Sequence, residues 1–333
     1  MKIIVPMAGI GKRMRPHTLT IPKPLINIAG KPIVQRLVEG IISVCDETIN
    51  EINFIIGDFG KDVEDILLNI AKSLNVKGKI SYQHDALGTA HAILCAEESL
   101  KGNIIVAFAD TLFNANFNLD TSKDGIIWTH KVEDPSSFGV VKTNEKNIIT
   151  DFVEKPQKFV SNQAIIGIYY FNNGELLKNE LQYLIDNKII KDGEYLLTDA
   201  LQNMMNKGAN FTTQSVDEWL DCGNKNTTVN TNQRILETNK IEPLISDSVK
   251  LFSSIINKPC YIGKNVEIKN SIIGPHVSIE DNSKIEDSII TNSIVQTNTL
   301  IKNANIDNSM IGNHVTYKGK VSNVSIGDYT TMF

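Results

Sequence analysis

YIGKNVEIKNSIIGPHVSIEDNSKIEDSIITNSIV, residues 261–295, repeats itself at short steps, and this repetition sets the fold of the end of the chain. Ile262-Gly263 and Ile273-Gly274 each open a short unit, as do Ile311-Gly312 and Ile326-Gly327 further on. In the first three units a valine follows three residues after the glycine, at Val266, Val277 and Val315. Ile268, Ile279 and Ile285 fall at near-hexad steps. A period of about six residues with one inward aliphatic per unit predicts the flat faces of a triangular, left-handed parallel β-helix. A single coil cannot bury its apolar edge alone, so coils must stack. A β-sandwich with Asn-rich turns is the alternative for the same residues. The predicted organisation is a β-helix over 256–333, a linker over 241–255 and a separate domain over 1–240.

Outward from the repeat, towards the start of the chain, the pattern changes to alternating strands and helices. Short apolar runs at Lys2–Pro6, Ile52–Ile56, Lys79–Tyr82 and Asn103–Phe108 read as strands. Helical spacing occupies Ile33–Val44 and Val63–Leu74, and a further helix begins at Thr89. This alternation predicts βαβ units and a Rossmann-like α/β domain with a mixed, mostly parallel sheet. The later strands, Gly125–His130, Gly139–Lys142, Ile148–Glu154 and Ala164–Phe171, are closer together and predict an antiparallel extension. Helical patterns return at Glu175–Asp186, Thr198–Asn206 and Asn224–Thr238.

With 41% hydrophobic and 21% charged residues, the 333-residue chain can bury a sizeable core, and wholesale disorder is not expected. A formal charge of −5 lacks the basic face that duplex nucleic acid requires. Cys45, Cys95, Cys222 and Cys260 are far apart with no CxxC spacing, which fits a reducing cytoplasm rather than a disulfide framework or zinc knuckle. The opening MKIIVPMAGIGKR has too short an apolar run for a signal peptide, and no segment has the ~20 apolar residues of a membrane span. The expectation is a cytoplasmic protein that binds neither membrane nor nucleic acid.

The strongest local signal follows the first strand: Met7-Ala8-Gly9-Ile10-Gly11-Lys12-Arg13-Met14-Arg15-Pro16-His17-Thr18, then Pro22-Lys23-Pro24-Leu25. Two glycines permit a tight loop whose backbone N–H groups can face an anion. Arg13 offers a planar fork for phosphate oxygens, and Lys23 a compact positive charge. The loop lacks GxxxxGK[ST] and so is not a Walker A motif; without a third glycine it is not a dinucleotide fingerprint either. The full string resembles the signature of the sugar-1-phosphate nucleotidylyltransferase family, above all the glucose-1-phosphate thymidylyltransferases in their long form with a C-terminal β-helix. One departure is Lys12, where the family usually carries Ser or Thr.

The resemblance implies a set of site residues. Ala8, Gly9 and Gly11 would cradle the nucleotide phosphates, with Arg13, Lys23 and Lys155 as the catalytic cations. Gln83-His84-Asp85-Ala86-Leu87-Gly88-Thr89-Ala90-His91-Ala92 resembles the base-reading segment, with Gln83, Gly88 and Thr89 binding the nucleotide. A plain helix N-terminus with Thr89 near its cap fits the same residues. Asp110 in Phe-Ala-Asp and Asp221 in Trp-Leu-Asp-Cys-Gly resemble the family's paired Mg²⁺ ligands, and two carboxylates with phosphate oxygens suit that hard cation. Helix or turn capping is the other role open to a lone Asp after a strand. Glu154 and Lys155 in Glu-Lys-Pro would hold the sugar hydroxyls and phosphate, with Gly139 and Thr198 also on the sugar side. A solvated strand end is the alternative for the Glu-Lys pair. Ile165 stands where relatives that use an N-acetylated sugar carry Asn, which favours a plain hexose.

The implied reaction is nucleotidyl transfer from dTTP or UTP to a hexose-1-phosphate, glucose-1-phosphate first among them by the resemblance, with release of pyrophosphate. Alternatives are a UTP-dependent uridylyltransferase, a bifunctional nucleotidylyl/acyltransferase or a non-catalytic regulatory subunit. His276 and His314, in the repeat, read as coil-corner residues rather than acyl-transfer bases. The β-helix is expected to support a homo-oligomer.

Overall fold

In the computed structural model, which describes residues 1–238 and 244–320, Ile3, Ile4 and Val5 are wholly buried at the middle of a nine-stranded sheet. In chain order the larger elements are β1 (Lys2–Pro6), α1 (Ile33–Ser43), β2 (Glu51–Ile56), α2 (Lys61–Ser73), β3 (Lys77–Tyr82), α3 (Thr89–Leu94) and β4 (Ile104–Ala107). There follow β5 (Thr111–Asn114), β6 (Gly125–Lys131), β7 (Gly139–Thr143), β8 (Ile149–Glu154), β9 (Gln163–Phe171), α4 (Gly174–Asp186) and α5 (Leu197–Asn206). β10 (Phe211–Ser215), β11 (Glu218–Asp221) and α6 (Lys225–Thr238) complete the part before the repeat.

The sheet runs β8-β7-β9-β4-β1-β2-β3, with β6 and β10 joined to it beside β9. β1 to β4 are mutually parallel, so their carboxyl ends share one edge, and the loops after β1, β3 and β4 gather there. That edge is where open α/β sheets collect ligands. β9 runs antiparallel to β4 and begins the predicted antiparallel extension. Helix spacing follows burial: Ile33, Leu37, Val38 and Ile41 of α1 are fully buried, one stripe of a 3.6-residue period.

By contacts the chain divides into two units, Met1–Ile26 with Pro32–Gly223, and Asn27–Lys31 with the chain from Asn224 onward. The sequence reading placed the first boundary at 240. α6 instead groups with the repeat because its buried face is polar and finds polar partners there. Asn232 donates to the His276 carbonyl and accepts from the Ser278 hydroxyl at 2.6 Å. The short turn Asn27–Lys31 belongs to the same unit, since Glu280, 2% exposed, accepts from Asn27 Nδ2 and from the Gly30 N–H.

The repeat is a left-handed parallel β-helix of three ladders. One ladder joins Lys250–Phe252, Glu267–Lys269, Lys284–Glu286, Leu300–Lys302 and Thr316–Lys318. Glu267 pairs with Lys284 and Lys284 with Leu300, so the coils step by 17 and then 16 residues, slightly short of three full hexads. The predicted inward residues Ile262, Val266, Ile268, Ile273, Val277, Ile279 and Ile285 are fully buried. The first coil starts by Ile245, inside the span read as linker, because Ile245 and the strands Lys250–Phe252 and Ile255–Ile256 already pair with the next coil. Corners are turned by residues with positive φ, among them Asn265, Asn282 and Asn298, and stacked Asn265 and Asn282 bond to each other at 3.1 Å. His276 and His314 are also corner residues with φ of 60° and 57°. The unit at Ile326-Gly327, part of the linker at Glu242 and the end of the predicted 256–333 span lie outside the described residues. Among the described residues no helix is long and apolar enough to cross a membrane.

Ile285 and Ile289 share one coil, the first wholly buried and the second 45% exposed. Ile285→Ala is expected to destabilise the repeat unit by about 2–5 kcal/mol, and Ile289→Ala by less than about 0.5 kcal/mol. Denaturant unfolding of the two variants beside the parent checks the contrast.

Candidate active site

The loop after β1 folds back on itself. Gly11 takes φ 58°, and the Thr18 hydroxyl donates to its carbonyl at 2.9 Å. A Cβ on Gly11 would lie 3.1 Å from Thr18 Cγ2 and 3.2 Å from Lys23 Cβ, so the closure is tight. Gly9 faces open space. Among the described residues, no protein acceptor meets the N–H groups of Ala8, Gly9, Ile10 and Gly11. Unpaired amides around a concavity are donors for an anion. Lys12, Arg13 and Arg15 on this loop are solvent-exposed.

Asp110 sits at the end of β4, and Lys23 Nζ lies 2.7 Å from its Oδ2. Asp221, distant in sequence, is brought beside it by a second small sheet. β11 pairs antiparallel with β5, with Asp221 opposite Thr111, and the Cys222 N–H donates to the Asp110 carbonyl at 2.9 Å. Each residue of Trp-Leu-Asp-Cys-Gly has a structural reason in this arrangement. The Trp219 indole N–H donates to Thr111 Oγ1 at 2.9 Å, and Leu220 is buried on the alternate face. A Cβ on Gly223 would meet Asp221 Oδ1 at 2.9 Å and Arg13 Nη2 at 3.4 Å, so the guanidinium and the carboxylate face the same spot.

Two pockets adjoin along this edge. The first, of about 280 Å³, is lined by Ala8, Gly9, Gly11, Lys23, Gln83 and Asp110, with Gly88 and Thr89 at its side. The second, of about 660 Å³, is lined by Gly139, Glu154, Lys155, Ile165 and Thr198. Thr89, Phe108 and Glu194 line both. Every residue singled out from the sequence therefore lines one of the two pockets, apart from Arg13 and Asp221, which meet at Gly223.

The wall between the pockets is backbone. Tyr195 N–H donates to the Leu87 carbonyl and Ala90 N–H to the Tyr195 carbonyl. Thr89 does not cap its own helix; its hydroxyl accepts from the Leu197 N–H at 3.0 Å. Gly88 has φ 109°, and a Cβ there would lie 2.5 Å from the Tyr195 carbonyl oxygen, which only glycine avoids. In the second pocket Lys155 holds φ 43°, a costly conformation for a non-glycine residue, with its N–H on the Phe138 carbonyl. β9 shifts register against β6 between Ile165 and Tyr169, a bulge centred on Gly167 that turns both residues to the pocket. Burial, reinforced by the Glu154 carboxylate, pushes the Tyr169 phenol above its usual range, so it faces the pocket as a neutral hydroxyl. Tyr169 and Glu194 were not singled out from the sequence; each is an isolated side chain in a segment without a recognisable pattern.

Asp110 and Asp221 fit a divalent cation as a partial ligand set. They offer hard oxygen donors from adjacent backbone positions, and a cationic group, the Lys23 ammonium, already lies against one of them. Among the described residues there is no group of three His, Cys, Asp or Glu side chains that could hold a metal unaided. Such an ion would need water or substrate oxygens to complete its shell, which is the habit of Mg²⁺.

The family model for nucleotidyl transferase matches residues 2–238, and that for a GlmU-like C-terminal hexapeptide domain matches residues 244–311. The chain is 29% identical to glucose-1-phosphate thymidylyltransferase of Streptomyces antibioticus, over 90% of this chain and 88% of that protein. It is 28% identical to the bifunctional protein GlmU of Methanococcus maripaludis, over 91% of this chain and 80% of that protein. A solved UDP-glucose pyrophosphorylase in complex with UDP-glucose superposes with a TM-score of 0.61 at 24% identity, over 72% of this chain and 99% of that one, a likeness of fold.

Gly88→Ala is expected to weaken nucleotide binding by about tenfold or more, because about 1–3 kcal/mol of strain must be relieved by moving Tyr195. Titration of nucleoside triphosphate into parent and variant, with melting curves for both, checks this.

Proposed function

We propose that this chain, which belongs to the nucleotidyl transferase family, transfers a nucleotidyl group from dTTP or UTP to a hexose-1-phosphate, glucose-1-phosphate first among them, and releases pyrophosphate. The observation that carries this reading is the pair of adjoining pockets, one floored by unpaired loop amides and the other by Glu154 and Lys155, with the Asp110–Lys23 pair on the first. The coarser activity, nucleotidyl transfer to a sugar phosphate, follows from the family and its relatives.

In this mechanism the sugar-1-phosphate oxygen attacks the α-phosphorus in line, and the pyrophosphate leaves with the displaced electron pair. The acceptor phosphate is already ionised, so the chain has no proton to remove. Its task is to hold two polyanions together: like charges ~4 Å apart repel by about 4 kcal/mol at an effective dielectric near 20. Lys155 holds the sugar phosphate, Glu154 accepts sugar hydroxyls, and Ile165 leaves an apolar surface where an acetamido group would look for a hydrogen-bond partner. Loop amides 8–11, Arg13 and Lys23 hold the triphosphate and its leaving end. A Mg²⁺ held by Asp110 and Asp221 would supply further charge neutralisation at the phosphate oxygens.

The likeness to a bifunctional GlmU over 91% of the chain favours a second reading, in which the sugar phosphate is amino-substituted and the β-helix has acyltransferase activity. Four nucleoside triphosphates crossed with glucose-, mannose- and N-acetylglucosamine-1-phosphate, with and without EDTA, separate the two. The first reading expects turnover of dTTP or UTP with glucose-1-phosphate, abolished by EDTA. Turnover confined to N-acetylglucosamine-1-phosphate would replace it with the second. Asp110→Asn is expected to lower turnover by about 10²-fold or more; near-parental pyrophosphate release in that variant would remove Asp110 from the mechanism.

A further inference from the structure

Gln83 lines the first pocket, and its amide is held from behind. Its Nε2 lies 3.2 Å from His91 Nδ1 and 3.4 Å from the Gly88 carbonyl oxygen. A primary amide nitrogen has two protons, and these two acceptors take both. Among the described residues no donor meets Gln83 Oε1. The end of the amide left for a ligand is therefore the carbonyl. Turning the amide over would set Oε1 against the Gly88 carbonyl oxygen, an acceptor that offers it no proton, and with the nitrogen end so placed His91 Nδ1 accepts from it.

We propose that His91 is a positioning residue for base selection: by accepting from Gln83 Nε2 it keeps the Gln83 carbonyl towards the nucleotide. This rests on reading the first pocket as the nucleotide site, and it names the chemistry that pocket selects. A fixed carbonyl facing the ring nitrogen of the pairing edge complements a base that carries a proton on that nitrogen. Thymine and uracil carry N3–H there, and guanine N1–H. Cytosine and adenine present a bare ring nitrogen, whose lone pair would face the Gln83 oxygen. To accept at Nδ1, the imidazole must be neutral with its proton on Nε2. His91 is half-buried in α3 and does not line the pocket, so its influence on the base passes through Gln83. The Gly88 contact is the longer of the two and, at 3.4 Å, is beyond the usual range of a strong bond. His91 is then the closer of the two anchors on the amide.

The test measures kcat/KM for dTTP, UTP, dCTP and CTP, and KM for the sugar phosphate, in parent, His91→Leu, His91→Asn and Gln83→Leu enzymes. In His91→Leu, which has no acceptor, the preference for dTTP over dCTP is expected to fall about tenfold, with KM for the sugar phosphate unchanged. His91→Asn can place its Oδ1 where Nδ1 stood, accept the same bond and keep the preference. His91→Ala gives the same arm as the leucine variant without added bulk, should leucine impair folding. An unchanged preference in His91→Leu and His91→Ala, alongside a lost one in Gln83→Leu, would overturn the role of His91 and leave Gln83 as the base reader. An unchanged preference in Gln83→Leu would instead overturn the nucleotide-site reading beneath it. Loss in the leucine and asparagine variants alike, with rising sugar-phosphate KM, would mark a structural role and also overturn the proposal.

Discussion

One backbone hydrogen bond, from the Cys222 N–H to the Asp110 carbonyl, sets the spacing on which the rest of the site depends. It continues the short β5–β11 ladder one step beyond the Thr111–Asp221 pair, so that Asp110, just before β5, lies beside the end of β11. Residues more than a hundred positions apart become neighbours with little freedom to separate, because Trp219 is bonded to Thr111 and Leu220 is buried. Two carboxylates this close in backbone would repel without cations, and the chain supplies Lys23 at 2.7 Å from one and the Arg13 guanidinium near the other. In the proposed mechanism the same cations also serve a polyphosphate. In our account, negative groups of the protein and negative groups of the substrates share a small set of positive charges.

Around that centre the backbone does much of the positioning. Among the described residues the amides of residues 8–11 find no acceptor, because Thr18 and Gly11 close the loop on themselves instead of on a neighbouring strand. Gly88 lets the segment before α3 lie directly on Tyr195, so one wall separates the two pockets while Thr89 and Glu194 reach both. A wall built of mutual backbone hydrogen bonds resists displacement better than one built of side chains, and in-line displacement tolerates little error in position. The proposed reading leaves specificity to a few side chains: Gln83 beside His91 in one pocket, Ile165 and the neutral Tyr169 in the other.

Much of this was legible in the sequence, and the exceptions share a cause. The continuous apolar runs of β1, β2 and β4 and the glycine-rich loop read correctly because their signals are local. β5, β10 and β11 were missed as strands, since four or five residues such as Thr111–Asn114 become strands only when distant partners pair with them. α6 was read as a helix but assigned to the first domain. Its buried Thr228, Thr231 and Asn232 are polar, so apolar periodicity could not show which surface it covers. The first coil of the repeat was read as linker because no Ile-Gly unit opens it, although Ile245, Leu251 and Ile256 stand in register with the inward Ile262, Ile268 and Ile273. The Gln83–His91 contact was hidden for another reason, that each residue has an ordinary explanation by itself and only their distance links them.

The central claim is that Asp110 and Asp221 act together on one divalent cation at the nucleotide phosphates. Electron paramagnetic resonance of Mn²⁺, titrated into the protein with a non-hydrolysable nucleoside triphosphate, tests it without requiring turnover. The account predicts one nucleotide-dependent Mn²⁺ site whose affinity falls by about tenfold or more in both Asp110→Asn and Asp221→Asn. Unaltered Mn²⁺ affinity in both variants would contradict it.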